Sequence, residues 1–206
     1  MKSLSLLALV SLVCTGCVVT RAPVRQDASF STRVVSLNLG QRSVDEFDDA
    51  DTDDQGAFGL DFFYMRPEGH AGVEAGITAA GDTEEDITIG GTTFDEVHHS
   101  TSEIYAGLRF VAAPSAFVEP YLSLGIAFVA VSESTEDNAG NDEEDEDITM
   151  GAYARGGVMV DFDPVVVGIE GRILRLTDTD LKNSVPGMNV KDVDYEQIAF
   201  FVGWSF

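Results

Sequence analysis

The chain has 206 residues, room for one domain and a short leader, and sets 12 Lys and Arg against 36 Asp and Glu, a formal net charge of −24. That field argues against a nucleic-acid partner and against a basic membrane-surface module. With 44% hydrophobic residues the chain is equally unlike an acidic disordered polymer. The acids are segregated: segments 41–56, 81–96, 131–148 and 177–192 hold 7, 6, 9 and 3 of them, 25 of the 36.

The amino terminus reads as an export signal, with Lys2 as a small basic region and Leu4 to Val13 as the apolar core. That core is too short for a membrane-spanning helix, which needs roughly 20 residues. Cys14-Thr15-Gly16-Cys17 follows and resembles the lipobox of bacterial lipoproteins, in which the Cys after Gly is lipidated and becomes the first residue. Cys14 stands where Leu or Val is usual, and ordinary cleavage near Gly16 or Cys17 without lipid is the alternative. The expected division is a signal peptide over 1–16, a tether over 17–28 and one domain over 29–206. Both cysteines lie in the leader, so no disulfide is expected within the domain.

From residue 30 onward the pattern alternates with a period of two, the geometry of strands. A first strand is expected around 30–40, with Val35, Leu37 and Leu39 on one face, and a second over 57–65, with Phe58, Leu60, Phe62 and Tyr64 opposite Gly59, Asp61 and Phe63. The turn Arg66-Pro67-Glu68-Gly69 leads to a third strand over 71–80. The fourth, about 98–111, sets Ile104, Ala106, Leu108 and Phe110 against Glu103, Tyr105, Gly107 and Arg109. A turn centred on Pro114 precedes the fifth, 117–130. The sixth, about 149–161, alternates Tyr153, Arg155 and Gly157 with small and aliphatic residues, and Phe162-Asp163-Pro164 turns it into the seventh, 165–175. The eighth closes the chain, with Ile198, Phe200, Val202, Trp204 and Phe206 on one face, Ala199, Gly203 and Ser205 on the other, and Phe201 as a bulky exception. Three short turns thus alternate with four acidic connections of about sixteen residues.

An even number of strands of about this length, joined by short turns and long loops in alternation, fits a closed antiparallel barrel that crosses a bilayer. A soluble eight-stranded carrier of the lipocalin type is the alternative, with its apolar face turned inward. The polar face here mixes many glycines with Tyr, Glu and Arg and has almost no Lys, which suits a narrow packed lumen better than a solvent face. The aliphatic rows are therefore expected to face lipid.

The Glu119-Pro120-Tyr121-Leu122-Ser123-Leu124-Gly125 and Arg155-Gly156-Gly157-Val158 segments and the aromatic C-terminus resemble the small outer-membrane β-barrel family that includes the OmpA transmembrane domain and OmpX. The resemblance covers residues 30–206 and implies an eight-stranded up-and-down transmembrane barrel in the outer membrane of a Gram-negative bacterium. It implies outer-membrane lipids as surroundings and the barrel assembly machinery as a partner, with Trp204 and Phe206 as the signal that machinery reads. The motifs are specific for architecture and carry little about activity.

Three constellations invite chemistry. Glu74, Glu103, Arg109, Glu119, Arg155, Glu170 and Arg172 share the expected lumen, either as a gate across a water path or as mutually satisfying ion pairs. The second reading is preferred, since unpaired buried charges cost several kcal/mol each and eight strands leave an interior just wide enough for side chains. His98, Ser100 and Glu103 invite comparison with the triad of a barrel lipid deacylase, but the preferred reading is that they line the external rim of their strand. Asp49, Asp51 and Asp53 resemble the start of a calcium loop, but Asp54 and Leu60 occupy the positions of its Gly and Glu, so an EF-hand is excluded. Looser binding of divalent cations, or of surface partners, to the acidic loops stays open. No nucleotide fingerprint or Cys/His cluster is present, so no cofactor and no metal ligand set is expected. The expected role is non-enzymatic: envelope structure or surface interaction.

Overall fold

The computed structural model describes residues 32–44, 54–66, 69–89, 92–114, 116–137, 142–176 and 194–206. The expected signal peptide, Cys17, the tether and the Asp49–Asp53 run lie outside the described residues. Eight strands follow in chain order: β1 (Thr32–Val44), β2 (Asp54–Met65), β3 (Ala71–Ile89), β4 (Thr92–Val111), β5 (Val118–Asp137), β6 (Asp142–Asp161), β7 (Val165–Leu176) and β8 (Tyr195–Ser205). Each pairs antiparallel with its sequence neighbours, and β8 returns to β1 to close the barrel. The closing ladder runs from Val34 opposite Ser205 to Val44 opposite Tyr195. The Ser205 amide donates to the Pro164 carbonyl at 2.7 Å and the Phe206 amide to the Arg33 carbonyl at 3.0 Å. Closure removes every sheet edge within the ring, which a backbone in hydrocarbon requires.

Alternation decides the two faces. Leu37, Leu39, Phe58, Ile77, Ile104, Leu124, Ile126, Phe128 and Phe200 stand on the outside, with Leu39 68% and Phe200 67% exposed. Asp61, Glu74, Glu103, Arg109, Arg155, Glu170 and Arg172 are buried inside. That polarity rules out the soluble carrier, whose apolar face would line a cavity. Aromatics mark the rim at the short turns: Phe117 packs edge-on against Phe162 at 5.4 Å, and Trp204 and Phe206 also lie exposed there. Such girdles are where amphipathic rings settle at a lipid–water boundary.

The lumen is filled by rings laid over glycines. A Cβ at Gly72 would meet the Phe63 ring at 2.6 Å, one at Gly125 the Tyr153 ring at 2.6 Å, and one at Gly157 the Tyr121 hydroxyl at 2.9 Å; one at Gly168 would collide with the Phe201 ring. Phe201, on the inward face of β8, thus has its place prepared across the ladder, where it also meets Tyr121 edge-on at 6.4 Å. Its neighbours Val34, Phe63, Met65, Val111, Met159 and Val166 complete an apolar layer near the short turns. A second layer, including Val44, Val129, Val131, Leu174 and Tyr195, lies toward the other end.

Two of the expected long loops are strands. β3 and β4 stay paired out to Ile89 opposite Thr92, and β5 and β6 out to Glu136 opposite Asp142. The acidic segments 81–96 and 131–148 are therefore the upper parts of two tall hairpins. β2 leaves β3 at Gly56 opposite Gly81, and β7 leaves β6 at Gly151 opposite Leu176, while β4 and β5 remain paired as far as Phe94 opposite Asp137. A four-stranded sheet consequently continues beyond the ring by about 25 Å of strand. In sequence this stretch is rich in β-branched residues (Ile87, Thr88, Ile89, Thr92, Thr93), a composition that favours strand in spite of the charge. Residues 45–53 and 177–193 lie outside the described residues.

The ring-over-glycine packing predicts that Phe201→Ala costs about 3–5 kcal/mol, as truncation of a buried aromatic does. The check is heat-modifiable gel migration: the variant should unfold at a lower temperature than the wild type, and an unchanged midpoint would contradict the packing.

Candidate functional site

The polar layer between the two apolar layers gathers side chains from all eight strands. Glu74 on β3 is its centre. Its Oε2 accepts from Arg109 Nε at 2.7 Å, Arg155 Nη2 at 2.8 Å and Ser123 Oγ at 2.9 Å, and its Oε1 accepts from the Tyr153 hydroxyl at 2.7 Å. Arg155, 1% exposed, reaches across the lumen from β6. Its Nη1 donates to Asp61 Oδ2 at 3.0 Å, to the Tyr105 hydroxyl at 3.0 Å and to Glu170 Oε1 at 3.3 Å. The Tyr121 hydroxyl closes this group with a short hydrogen bond to Glu170. Arg109 stacks between Phe63 and Tyr121, 4.7 and 4.2 Å from their ring centres.

A second group lies toward the tall hairpins. Glu103 accepts from Arg172 and from the Tyr195 hydroxyl, and Arg42 Nη2 stands 3.8 Å from it. Arg42 on β1 also donates to Gln197 through Nε at 3.2 Å and Nη2 at 2.9 Å, and its guanidinium lies 3.9 Å from the Tyr195 ring centre. Arg172 is held between the rings of Tyr105 and Tyr153 at 4.2 and 4.3 Å. Those two tyrosines, edge to face at 5.3 Å, separate the groups.

Of the residues expected in the lumen, Glu74, Arg109, Arg155 and Glu170 come together in the first group and Glu103 with Arg172 in the second. Glu119 is buried on the same inner wall, two residues nearer the turn than Tyr121. Sequence reasoning missed Arg42, which the expected loop over 41–56 had taken in, although β1 continues through it to Val44. It also missed the tyrosines as partners and left Asp61 out of the network, although alternation had put it on the inward face. The usable signal was parity, since every one of these residues falls on the inner register of its strand.

The residues compared with a deacylase triad are not brought together. His98 is exposed on the outer face of β4, where its Nδ1 meets Thr83 Oγ1 at 2.8 Å, and Ser100 shares that face. Glu103 is inside, paired with arginine. His99 is buried on the inner face. The wall of the barrel separates acid from base and nucleophile. Among the described residues no group of three or more His, Cys, Asp or Glu is placed to hold a metal ion.

Comparison with solved structures recovers the same fold. OprG of Pseudomonas aeruginosa superposes with a TM-score of 0.63 at 15% identity, over 86% of this chain and 97% of that one. Ail, the attachment invasion locus protein of Yersinia pestis, in its complex with the heparin analogue sucrose octasulfate, gives 0.58 at 15% identity, over 85% and 99%. Neisserial surface protein A gives 0.57 at 13%, over 85% and 97%. No curated protein matches the chain significantly in sequence. The model of the outer membrane protein β-barrel domain, however, matches residues 6–206. With the closed ring, the lipid-facing rows and the charged lumen in place, the chain belongs to the outer membrane protein β-barrel domain family and spans the outer membrane of a Gram-negative bacterium.

Proposed function

We propose that this protein is a non-enzymatic, non-conducting barrel that displays an acidic sheet at the cell surface for cationic partners, divalent ions included. The observation that carries the reading is the continuation of β3–β6 beyond the ring, because the two hairpins contain 6 and 9 of the acidic residues, in segments 81–96 and 131–148. In a sheet those charges occupy opposing register positions: Glu85, Glu96, Glu136 and Asp142 follow one another across four strands. Like charges set opposite one another disfavour the ladder, and a cationic partner would relieve that repulsion. The heparin analogue bound to Ail is a polyanion. An acidic sheet repels such a ligand, so the expected partner here has the opposite charge.

The lumen network has a structural role on this reading. It lies between two apolar layers, and its arginines and carboxylates satisfy one another across the ring, a filling that supports a packed lumen over a conducting one. Trp204 and Phe206, exposed at the end of β8, fit the role of the signal read by the assembly machinery. Cys17 is proposed as the lipidated residue, with residues 17–28 as the tether.

Three outcomes are expected. Reconstituted protein should bind poly-L-lysine in a salt-sensitive manner and leave heparin unbound; neutralising the run Asp142–Asp147 to the amides should weaken poly-L-lysine binding at least about tenfold while heat-modifiable migration is kept. Equal binding of both polymers would defeat the surface reading. Arg155→Ala, which leaves Asp61 without its guanidinium partner and takes a donor from Glu74 and Glu170, should destabilise the barrel by about 3–5 kcal/mol, measured by urea unfolding in lipid vesicles, and a neutral effect would remove the structural role. Labelling with radioactive palmitate should disappear in Cys17→Ala; persistence of the label would move the anchor elsewhere.

A further inference from the structure

The outer wall of the ring carries a groove of about 560 Å³ just below the tall hairpins. Phe58 on β2 and Ile148 on β6 stand at its two ends, 62% and 69% exposed. Ile77, Ile104 and Phe128, one register row on β3, β4 and β5, form its lower edge. Its floor is the next outward row away from the turns, Ala79, Ser102 and Ala130. Parity turns all of these side chains outward, so the packed lumen does not require the three central ones to be small. Leu or Ile would be more favourable there in hydrocarbon. The hollow is a property of the lipid-facing surface itself.

Its shape limits the occupant. One row on a single face is about 7 Å high along the strands, and four strand spacings from β2 to β6 make about 19 Å. A trough so low and long admits a single flexible hydrocarbon chain. The convex wall of a second barrel would rest on Phe58 and Ile148 and leave the floor empty. Barrel strands tilt by about 35–45°, so a row at right angles to them slants through the bilayer. Above the floor the next outward row is Gly81, Ser100 and Ser132. Their small side chains leave the trough open toward the headgroups, while the isoleucines and Phe128 close it below.

The groove is continuous with the lipid-facing rows of the ring, so lipid is what reaches it. Left empty in hydrocarbon, it would forfeit the dispersion contacts of its lining. In a membrane such packing, together with the entropy of the chains, governs association. We propose that the groove holds one acyl chain of a membrane lipid from the leaflet on the hairpin side, retained while the chains around the rest of the ring exchange. The site makes no use of the surface acids, so its failure leaves the surface reading intact.

The experiment reconstitutes the full-length protein in vesicles of palmitoyl-oleoyl phosphatidylcholine, the probe lipid, extracts it in mild detergent and weighs it by native mass spectrometry. The wild type should keep one phosphatidylcholine per barrel through repeated washing. The double variant Ala79→Leu/Ala130→Leu, which fills the floor, should keep at least about tenfold less. Ala152→Leu, at an exposed lipid-facing position outside the groove, should keep as much as the wild type. Leucine suits a lipid-facing wall, heat-modifiable migration checks that each variant folds, and Ser102→Leu decides the matter if the double variant does not. A wild type stripped of lipid, equal retention in the filled variant, or an equal loss in Ala152→Leu would overturn the site. So would a wild-type dimer that the filling abolishes, because the occupant would then be a second copy of the chain.

Discussion

Glu74 receives four hydrogen bonds inside a wall whose outer side is hydrocarbon, and much of the interior is arranged around that fact. A carboxylate buried there has no access to bulk solvent, so its donors must come from other strands. Arg109, Ser123 and the pair Tyr153 and Arg155 bring β4, β5 and β6 to β3, and Arg155 continues to Asp61 on β2 and Glu170 on β7. The interaction thus works as a set of spokes that determine how far apart opposite walls stand. Glycines on the inner face follow from it, since rings that donate to these carboxylates can lie flat only where a neighbouring strand has no side chain.

The two ends of the molecule answer different solvents. Within the ring, every strand has two neighbours and the outer face is apolar. Above it, among the described residues, four strands continue, and their residues are chiefly acids, threonines and serines. The change happens within a few residues: on β6, Ile148 is 69% exposed while Glu146 and Asp147 precede it. The β5–β6 ladder therefore passes from hydrocarbon to water without a break in its register, and only the composition of its faces marks the boundary.

Most of the ring was legible in the sequence, because a period of two is a local property and each strand states its own faces. Leu37, Leu39, Phe58, Ile104 and Phe200 declare the outside by size, and Asp61, Glu103 and Arg155 the inside by charge. The height of the hairpins was not read correctly, since acid density at 81–96 and 131–148 outweighed the weaker β-branched signals of Ile87, Ile89 and Thr92. Partner choice in the lumen was beyond reach for another reason. Which arginine meets which carboxylate depends on the stagger around the ring, a global quantity that no single strand encodes. Arg155 and Glu74 are 81 residues apart and become neighbours only once the ring is closed.

The rings seated over glycines have a consequence for how the strands find one another. Phe201 fits against Gly168 and Tyr121 against Gly157, and each fit exists at one alignment of its strand pair. Sliding β8 along β7 by two positions keeps every residue on its proper face, so the lipid-facing pattern alone tolerates the error. The displaced ring, however, would meet a Cβ in place of a bare backbone. Hydrophobic alternation decides which way a strand faces; the matched bump and hollow decide which rung it stops on.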